Sequence, residues 1–456
     1  MTNVQNIQLP ALDAFLYNGK NTDAAFIVLT EKVTPRLLYV CDFIFQQGLL
    51  SNYNITDNAN EWKESTLYKI NYTGHVYENS FQIQPSGFLS KSGIEEGIPP
   101  LKNNNDVPLF YPNNCFDIDF DIFSAVFHCI SRYEEWQKYV KDMHGRFEVR
   151  NSLMYKLSCL KKPIVDLWIE KLKIGLHKKY PDIRFQQRSF KFVSTIDVDN
   201  LYAFKGKSLI RNAGGAVKDL FRLDFGMFAS RLASVFFGKG DPFDKYDEQI
   251  QLAHDTHTPL FYFFLYKNNT EFDRTINPGH TEFKKLFAKL KGNKVEFGIH
   301  PSYFSSDDEQ GISEETKLLG DHAQKNILIS RQHYLRFNIR TTPFYLEKAG
   351  ISYDFTMGFA SAAGYRAGTT LPFYYYDFAS EKSFSVMAVP FALMDGAYYI
   401  YKKVKIEEVQ KDIESLIAEA KKVNGLFITV FHERSFSQQL YPGWSRLYRQ
   451  IHQLIK

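Results

Sequence analysis

Two aspartates spaced Asp-x-Asp stand at the end of an apolar run near the middle of the chain. Residues 194–200 read STIDVDN, follow the apolar stretch FKFV, and contain Asp197 and Asp199. Alternate residues of a β-strand point to the same face, so the two carboxylates share one side of the strand where it ends. Two such charges repel each other, and burial raises the pKa values of both. The pair indicates either a polar strand end in a loop or a metal or acid/base site.

Further polar residues stand at or near the ends of later apolar runs. They are His300, Arg331, His333, Asp395 and His432. A single histidine in such a place is more often a hydrogen-bonded loop residue than a ligand. Several polar residues on one edge of a sheet, together with Asp197 and Asp199, form a constellation typical of an active site.

The elements that would position these residues alternate along the second part of the chain, 186–456. Apolar, β-branched and aromatic runs alternate there with amphipathic helix patterns, which predicts an α/β fold with a parallel sheet and covering helices. Seven strand candidates without a G-x-G-x-x-G motif favour a seven- or eight-stranded barrel over a dinucleotide-binding fold. Barrel enzymes carry their chemistry at the carboxyl ends of the strands, where the polar residues stand. The strand candidates are KFVSTIDVD, TPLFYFFLY, VEFGIHPS, RQHYLRF, ISYDFTMGF, FSVMAVPFALMD and LFITVFHE.

The first part of the chain, 1–185, is predicted to form a smaller α+β domain. A chain of 456 residues is too long for one ordinary core, which favours two domains. The strand-like runs AAFIVL and LLYVCDFIF are followed by helix patterns in DFDIFSAVFHCISRYEEWQKY and IVDLWIEKLKIGLHKKY. Asp117, Asp119 and Asp121 precede the first of these helices, where they serve its positive N-terminal end or form a metal cluster.

Composition excludes several classes of function. Basic and acidic residues number 55 and 51, a formal net charge of +4, which is too balanced for a nucleic-acid-binding surface. The four cysteines form no C-x-x-C pair, which excludes common zinc-binding spacings and disfavours a disulfide scaffold. The N-terminal residues lack the pattern of an export signal, and no apolar run reaches membrane-spanning length. We therefore expect a cytoplasmic protein without a transmembrane segment.

At these residues the sequence resembles the NodB-homology polysaccharide deacetylases, carbohydrate esterase family four. The stretch STIDVD resembles the motif T-x-D-x-D, which implies Asp197 as the general base and Asp199 as a ligand of a divalent metal. HPSYF resembles a His-x-x-x-His motif, in which His300 matches the first histidine and Phe304 stands at the position of the second. The resemblance spans the second part of the chain and implies a deformed (β/α)7–8 TIM-like barrel at 186–456.

Two further motifs extend the resemblance. Arg331-Gln-His-Tyr334 resembles R-x-x-[YF], in which the arginine orients the base and the backbone N–H of Tyr334 contributes to an oxyanion hole. ITVFH resembles the last motif, an apolar strand that ends in the general acid, here His432. The family also has an aspartate that tunes this histidine, and Asp354 is predicted for that role. The stretches RYEEW and HGRF resemble a subgroup with an extra N-terminal domain, for which the resemblance implies no function.

The predicted metal site needs a third ligand. Asp199 and His300 make two, whereas a catalytic zinc usually has three protein ligands and one open position. His333 is the predicted third ligand, with His322 or a water as alternatives, and His333 equally fits a hydrogen-bonded histidine of the barrel. We expect one divalent metal between these residues, with Zn as the first choice and Co or Ni as alternatives.

Three residues are predicted to contact a carbohydrate substrate. Arg366, in the glycine-rich stretch GYRAGTT, would pair with an acidic sugar or with Asp197, or else belongs to a tight loop. Trp444, in YPGW, would stack on a sugar ring or cap the barrel. Tyr303, in HPSYF, lies next to the metal-binding motif.

The segment 204–240, after the first strand of the predicted barrel, is unusual. Seven basic residues outnumber two acidic residues there. The apolar residues Ile210, Val217, Phe221, Phe228 and Leu232 could share a helical face. This composition fits a helix on a membrane surface, or a lid that packs on the neighbouring domain.

The predicted function is a metal-dependent hydrolase that removes N-acetyl groups from an amino-sugar glycan or glycan precursor. The reaction needs an activated water and a polarised carbonyl, which a divalent metal can supply. Asp197 would take the proton of the water, and His432 would protonate the leaving amine. Phe304 favours an alternative, a deacetylase-fold protein that has lost its metal and only binds glycan. Hydrolysis of another C–N bond, such as that of a cyclic amide, is a further alternative, and no oligomeric state is predicted.

Overall fold

The chain forms two compact units, and the boundary between them is crossed more than once. The computed structural model describes Leu9, Leu12, Phe15, Leu16 and residues 24–103, 107–113, 116–267 and 270–455. The first unit contains Met1–Lys191, Ala363–Ala392 and Ala418–Phe427, and the second contains Phe192–Ala362, Leu393–Ile417 and Ile428–Lys456. The first segment ends near the predicted boundary at 185, but two later segments also belong to the first unit.

Strands and helices alternate through both units. The strands are β1 (Ala24–Thr30), β2 (Asn52–Thr56), β3 (Tyr68–Tyr72), β4 (Phe81–Gln82), β5 (Leu101–Lys102), β6 (Leu109–Phe110), β7 (Lys191–Val198), β8 (Leu260–Leu265), β9 (Glu296–His300), β10 (Ile329–Ser330), β11 (Tyr353–Asp354), β12 (Phe373–Asp377), β13 (Lys382–Ala388), β14 (Leu393–Met394) and β15 (Leu426–His432). The helices are α1 (Pro35–Cys41), α2 (Ala59–Glu64), α3 (Ile122–Ile130), α4 (Tyr133–Trp136), α5 (Leu153–Lys156), α6 (Ile164–Lys179), α7 (Leu209–Phe221), α8 (Phe225–Phe237), α9 (Tyr246–Asp255), α10 (Thr281–Gly292), α11 (Glu309–Ala323), α12 (Thr342–Lys348), α13 (Ile406–Lys422) and α14 (Trp444–Leu454). None of these described helices is both long enough and apolar enough to cross a bilayer.

The first unit contains a parallel sheet in the order β2-β1-β3-β4. The strand prediction for AAFIVL is confirmed as β1, but the strand prediction for LLYVCDFIF is wrong. That stretch forms α1 and continues as the π-helix Asp42–Gly48. Thr34 caps α1 by accepting the backbone N–H of Leu37, and Pro35 occupies its first position. These two start signals outweigh the β-propensity of the apolar residues that follow.

The three acids before α3 serve separate partners. Asp121 is the N-cap of α3, where its side chain accepts the backbone N–H of Ser124, as the sequence predicts. Asp119 pairs with Lys171 at 2.6 Å, and Asp117 accepts a backbone N–H of β4 at 2.8 Å. The three carboxylates therefore do not converge on a common metal.

The second unit is built on a row of strands in the order β11-β10-β9-β8-β7-β15-β14. The pairs from β7 through β11 are parallel, and helices α9 to α12 lie in the connections between them. β7 is buried along all but its first residue, as expected for a central parallel strand covered on both faces. The predicted α/β alternation is confirmed. Among the described strands β11 and β14 do not pair, so closure of the predicted barrel is not confirmed.

Two predicted strands differ in extent from those in the structure. RQHYLRF does not form a strand: β10 ends before it, and His333–Leu335 form a 3₁₀ turn. FSVMAVPFALMD is divided into β13, which pairs antiparallel with β12 in the first unit, and β14, which pairs in parallel with β15. Pro390 lies between the two, and a proline cannot donate a hydrogen bond to a sheet.

A glycine allows β9 and β10 to approach closely. A Cβ atom at Gly298 would lie 2.1 Å from the carbonyl oxygen of Ile329, which is far inside van der Waals contact. Only glycine leaves room for that backbone, so Gly298 fixes the position of β10 against β9. This contact brings the residues that follow β10 toward the end of β9.

Candidate metal and acid–base site

Asp199, His300 and His333 meet at one edge of the parallel sheet, and we call them the ligand cluster. Asp199 follows β7, His300 is the last residue of β9, and His333 begins the turn after β10. Asp199 Oδ1 lies 3.5 Å from His300 Nε2 and 3.6 Å from His333 Nε2. All three residues are buried. They converge because the carboxyl ends of neighbouring parallel strands share one edge.

Both histidines present an unprotonated Nε2 to the cluster. His300 Nδ1 lies 2.6 Å from the carbonyl oxygen of Arg331, and His333 Nδ1 lies 2.8 Å from Asp273 Oδ1. Because a carbonyl and a carboxylate only accept hydrogen bonds, each Nδ1 carries the proton and donates. Burial lowers the pKa of His300 and lowers that of His333 to about 4, so both rings are neutral at pH 7.

The ligand cluster fits one divalent ion. In tetrahedral zinc sites, nitrogen and oxygen ligands lie about 2.0–2.2 Å from the ion and therefore about 3.4 Å from one another. Asp199 Oδ1 is buried and has no hydrogen-bond partner, which is costly for a carboxylate oxygen unless it binds a cation. Two imidazoles and one carboxylate are a donor set that zinc takes in catalytic sites, and nickel and cobalt also accept imidazole.

Asp273 orients His333, and the sequence analysis did not find it. Its Oδ1 accepts from His333 Nδ1 and, at 3.0 Å, from the backbone N–H of Tyr303. Its Oδ2 accepts from the Thr270 hydroxyl at 2.6 Å. A carboxylate on the distal nitrogen of a ligand histidine fixes the ring and its tautomer. Asp273 lies in the polar loop EFDRT after β8, and nothing in that stretch signals its role.

Asp197 forms a buried ion pair with Arg331 beside the cluster. Arg331 Nη1 donates to Asp197 Oδ1 at 2.6 Å, and its Nε donates to the carbonyl oxygen of Phe355 at 3.0 Å. Burial acts to raise the pKa of Asp197, but the charge of Arg331, helped by nearby histidines, lowers it below the ordinary value. Asp197 Oδ2 lies 4.0 Å from His300 Nε2, so an ionised carboxylate stands next to the ligand cluster.

His432, the last residue of β15, pairs with Asp395 and not with the predicted Asp354. Its Nδ1 lies 2.6 Å from Asp395 Oδ1, and its backbone N–H donates to Asp395 Oδ2 at 2.8 Å. Burial acts to lower the pKa of His432, but Asp395 and other nearby acids raise it to about 9. Asp354 instead accepts from the hydroxyls of Ser330 and Thr356. Asp395 follows β14, the strand paired with β15, so strand pairing decides which aspartate reaches the histidine.

Glu433 and Arg434, directly after His432, hold the loop that carries Asp199. Glu433 accepts the backbone N–H groups of Asp199 at 3.1 Å and Asn200 at 3.2 Å. Arg434 Nη2 donates to Asp199 Oδ2, which leaves Oδ1 facing the two histidines. Burial raises the pKa of Glu433 to about 8. The sequence analysis missed both residues, because their contacts exist only when β7 and β15 are neighbours.

A cavity of about 330 Å³ opens beside the ligand cluster. Tyr334 has φ 58°, a left-handed conformation that is strained for a tyrosine and recurs at functional sites. Its side chain is partly exposed and lines the cavity. The role of its backbone N–H as an oxyanion donor stays a prediction. The cavity is lined by Asp199, Asn200, Leu265, Glu271, Phe272, Arg274, His333, Tyr334 and Arg434.

Arg366 is not among the residues that line this cavity. It lies in the first unit, where it is only 2% exposed. Its Nε and Nη2 donate to the two carboxylate oxygens of Glu135 at 2.9 and 2.6 Å. The predicted pairing of Arg366 with Asp197 or with an acidic sugar is therefore wrong, because a buried bidentate pair already satisfies the guanidinium.

Trp444 and Tyr303 are buried among other aromatic rings. Trp444 begins α14 and packs edge-on against Tyr399, with ring centroids 5.4 Å apart. Tyr303 stacks on Phe272 with centroids 3.8 Å apart, and Phe272 is the ring of this pair that lines the cavity. Trp444 therefore takes the predicted packing role instead of the predicted sugar contact. Tyr303 supports the wall of the cavity from behind.

His322, the alternative third ligand, and Phe304, at the position of the second motif histidine, both lie outside the ligand cluster. His322 lies on α11, where its Nδ1 is 2.7 Å from the hydroxyl of Tyr266, so it is not part of the ligand cluster. Phe304, at the position of the second motif histidine, is 53% exposed. Within the described residues, the second histidine of the cluster is His333, which lies in the turn after β10 and not at the position of Phe304.

One family model matches part of the first unit. A family model described as "Family of unknown function (DUF7033)" matches residues 26–181. No curated protein matches the chain.

The solved structures that match the chain include polysaccharide deacetylases and a pseudoenzyme of the CE4 family. A candidate polysaccharide deacetylase from Mycobacterium smegmatis is 13% identical with a TM-score of 0.38, over 59% of this chain and 85% of that chain. A polysaccharide deacetylase from Bacillus cereus is 9% identical with a TM-score of 0.30, over 58% and 86%. A CE4 family pseudoenzyme from Bacillus anthracis is 9% identical with a TM-score of 0.25, over 58% and 63%.

Proposed function

We propose that this protein is a metal-dependent hydrolase that removes N-acetyl groups from an amino-sugar glycan or glycan precursor. One observation carries the proposal: the ligand cluster lies beside two separate acid–base pairs. These pairs are Asp197 with Arg331 and His432 with Asp395. Amide hydrolysis needs a base for the attacking water and an acid for the leaving amine, and the two pairs have opposite pKa shifts suited to those tasks.

Asp199, His300 and His333 would hold the metal. We expect one divalent ion, with zinc as the first choice and cobalt or nickel as alternatives. When bound, such an ion lowers the pKa of a water and polarises a carbonyl. The neutral imidazoles of His300 and His333 and the carboxylate of Asp199 would bind the ion. Asp199 and His333 also line the cavity through which a substrate would enter.

Asp197 would act as the general base. Its pairing with Arg331 keeps the carboxylate ionised and points one oxygen toward Arg331 and the other toward His300. The oxygen on the His300 side is the one available to accept a proton from water. Arg331 is buried, so it holds Asp197 in place and is not itself exposed to the substrate.

His432 would act as the general acid. With its pKa raised to about 9, the ring is protonated at neutral pH. Its Nδ1 is engaged by Asp395, so the proton on Nε2 is the one that can be donated. A leaving amine needs this proton, because an amide anion is too basic to depart.

The cavity favours a sugar as the substrate. Tyr334 and Phe272 offer aromatic faces, and Asn200, Arg274 and Glu271 offer hydrogen-bonding groups around them. Aromatic rings with polar neighbours suit a ring that is apolar on its faces and hydroxylated at its edge.

Metal analysis is the first test of the proposal. The purified protein should contain about one equivalent of a divalent metal, and His300→Ala and His333→Ala should lose most of it. His322→Ala, which removes a histidine of the same unit outside the cluster, should keep it. Unchanged metal content in both cluster variants would contradict the site.

Hydrolysis is the second test, and it separates an enzyme from a glycan-binding protein. Acetate release from N-acetylated oligosaccharides should depend on added metal. It should fall by about 10²–10⁴-fold in His432→Ala, which keeps the ligand cluster intact. A protein that binds metal and glycan yet hydrolyses none of a panel of N-acetylated sugars would contradict the proposed reaction.

A further inference from the structure

Helices α7 and α8 form a helical hairpin that leaves most of its large apolar side chains exposed to solvent. In this hairpin, Leu209–Phe237, the residues Ile210, Phe221 and Phe237 are 87%, 86% and 77% exposed. Asn212 is the buried residue of α7, and Met227 and Ser234 are those of α8. Monomeric proteins rarely expose a contiguous apolar surface of this kind unless something covers it. The other exposed apolar side chains of the hairpin are Leu209, Val217, Leu220, Leu223, Phe225, Leu232 and Phe236.

The hairpin that exposes these apolar side chains has regular helix ends and an ion pair between its two helices. Ser208 caps α7, Asp224 caps α8, and Gly238 ends α8 in the left-handed conformation. Arg231 of α8 pairs with Asp219 of α7 at 2.8 Å, which fixes the two helices side by side. The polar sides of the helices therefore face each other, and the apolar sides face outward.

The base of the hairpin is fixed to the second unit. Asp241, which follows the hairpin, accepts the backbone N–H groups of Ala203 and Phe204 at 2.9 and 2.8 Å. Met227 packs with the same two residues. The hairpin is therefore anchored at one side, and its outward apolar surface is presented by the fold.

The basic residues of the hairpin indicate what kind of partner could cover its apolar surface. Of the seven basic residues between 204 and 240, Lys205 pairs with Glu282 and Arg231 with Asp219. The other acidic residue of this segment, Asp224, caps α8, so no acidic residue of the segment is left to pair with the basic residues of α7. On α7 three of the exposed apolar residues are each followed by a basic one. At about 100° per residue, this places a basic stripe beside the apolar stripe. The successive pairs are Ile210-Arg211, Val217-Lys218 and Phe221-Arg222.

We propose that this helical hairpin docks the protein on an anionic membrane surface. Its apolar side chains would enter the boundary between headgroups and acyl chains, and the basic stripe would lie against the phosphates. A second copy of the chain is a poorer partner, because a symmetric contact would bring the same basic stripes together. The contact is peripheral, since none of the described helices is able to cross a bilayer.

Vesicle co-sedimentation tests the proposal. The full-length protein should sediment with vesicles of phosphatidylcholine and phosphatidylglycerol, much less with phosphatidylcholine alone, and less as salt is raised. Replacing three exposed apolar residues, Ile210→Ser, Phe221→Ser and Phe237→Ser, should weaken binding by at least about tenfold. Replacing the basic stripe, Arg211→Ser, Lys218→Ser and Arg222→Ser, should weaken it by about a hundredfold.

A matched control changes the same number of exposed apolar side chains elsewhere. Val76→Ser, Met143→Ser and Ile174→Ser, all exposed in the first unit, should leave vesicle binding unchanged. Absence of binding to anionic vesicles, or equal binding by the hairpin variant, would overturn the proposal. A dimer in lipid-free solution that the hairpin variant abolishes would also overturn it, because it would assign the surface to a second copy. Circular dichroism of each variant confirms that the fold is intact.

Discussion

At the scale of single residues, the site depends on which partner each titratable group meets. His333 is buried and His432 is partly buried at the same edge of the sheet, yet their pKa values are shifted in opposite directions, to about 4 and about 9. The difference follows from their partners. Asp395 and other acids raise the pKa of His432, whereas at His333 burial outweighs the effect of Asp273. One histidine is therefore suited to donate a proton, and the other to bind a metal.

The raised pKa of His432 predicts a pH dependence. The folded pKa of about 9 exceeds the ordinary value of about 6.5, so the imidazolium stabilises the fold fully below about pH 6.5. That contribution is lost as the pH rises toward 9, and the alkaline limb of the kcat profile should lie in the same range. Asp395→Asn should move this limb toward neutral pH and lower kcat. Measured pH profiles test this; a limb that stays at the same pH in Asp395→Asn would contradict the pairing.

A comparison variant is available in the same sheet. Asp354→Asn replaces the aspartate that the sequence predicts beside His432. Asp354 instead accepts hydrogen bonds from the hydroxyl groups of Ser330 and Thr356. The position of the alkaline limb should not move in this variant. A shift equal to that of Asp395→Asn would show that general loss of buried charge, and not the contact with His432, sets the pKa.

Replacing Asp273 should weaken metal binding although all three metal ligands are kept. Asp273→Asn keeps an oxygen that can accept from His333 Nδ1 but removes the charge that favours this tautomer. Loss of such a partner typically weakens metal affinity by about 10–100-fold. Competition with a chromogenic chelator measures the affinity, with Asp395→Asn as the control that leaves all three ligands and Asp273 unchanged. Equal affinity of Asp273→Asn and the unaltered protein would contradict the assignment.

At the scale of elements, local sequence patterns predict that a strand or helix exists better than they predict where it is interrupted or ends. The apolar runs that became β7, β8, β9 and β15 are confirmed, because each is a continuous buried strand. The helical face predicted from Ile122 to Tyr133 is interrupted, since Arg132 adopts φ 54° between α3 and α4. Arg132 pairs there with Glu135, three residues further on, and Glu135 in turn binds Arg366 from a distant segment of the chain. The periodicity of apolar residues along the sequence does not indicate such contacts.

The close approach of β9 and β10 predicts a stability effect. Gly298→Ala would place a methyl group against the backbone of β10, where no flexible side chain can move aside. We expect a loss of unfolding free energy of about 1–3 kcal/mol or more. Urea unfolding measures it, with Gly292→Ala at the end of α10 as the control, because nothing lies near a Cβ there. Equal stability of the two variants would contradict the steric argument.

At the scale of the whole molecule, the order of the chain conceals which segments belong together. GYRAGTT lies between strands of the second unit in sequence, yet it belongs to the first unit. There Arg366 joins Arg132 in binding Glu135, within the RYEEW stretch. A buried charge cluster of this kind holds distant segments of one unit together. The membrane proposal belongs to this scale as well, because it concerns a surface that the remainder of the fold leaves uncovered.

The sequence by itself determined which residue types stand at the strand ends. Asp197, Asp199, His300 and His432 are visible as polar residues that close apolar runs, because a buried strand and its end are local features. Their convergence needs only a parallel sheet, whose carboxyl ends share one edge. The excess of basic and apolar residues in 204–240 is equally local.

Only the tertiary structure decided which partner each of these residues has. His333 joins the cluster from a turn after β10, Asp273 reaches it from a loop, and Asp395 displaces Asp354 because β14 pairs with β15. Arg366 leaves the predicted site because its guanidinium finds Glu135 in the first unit. Each of these outcomes depends on strand order and on contacts between segments far apart in the chain. Spacing along a sequence contains no information about such contacts, because they arise from the packing of the completed fold.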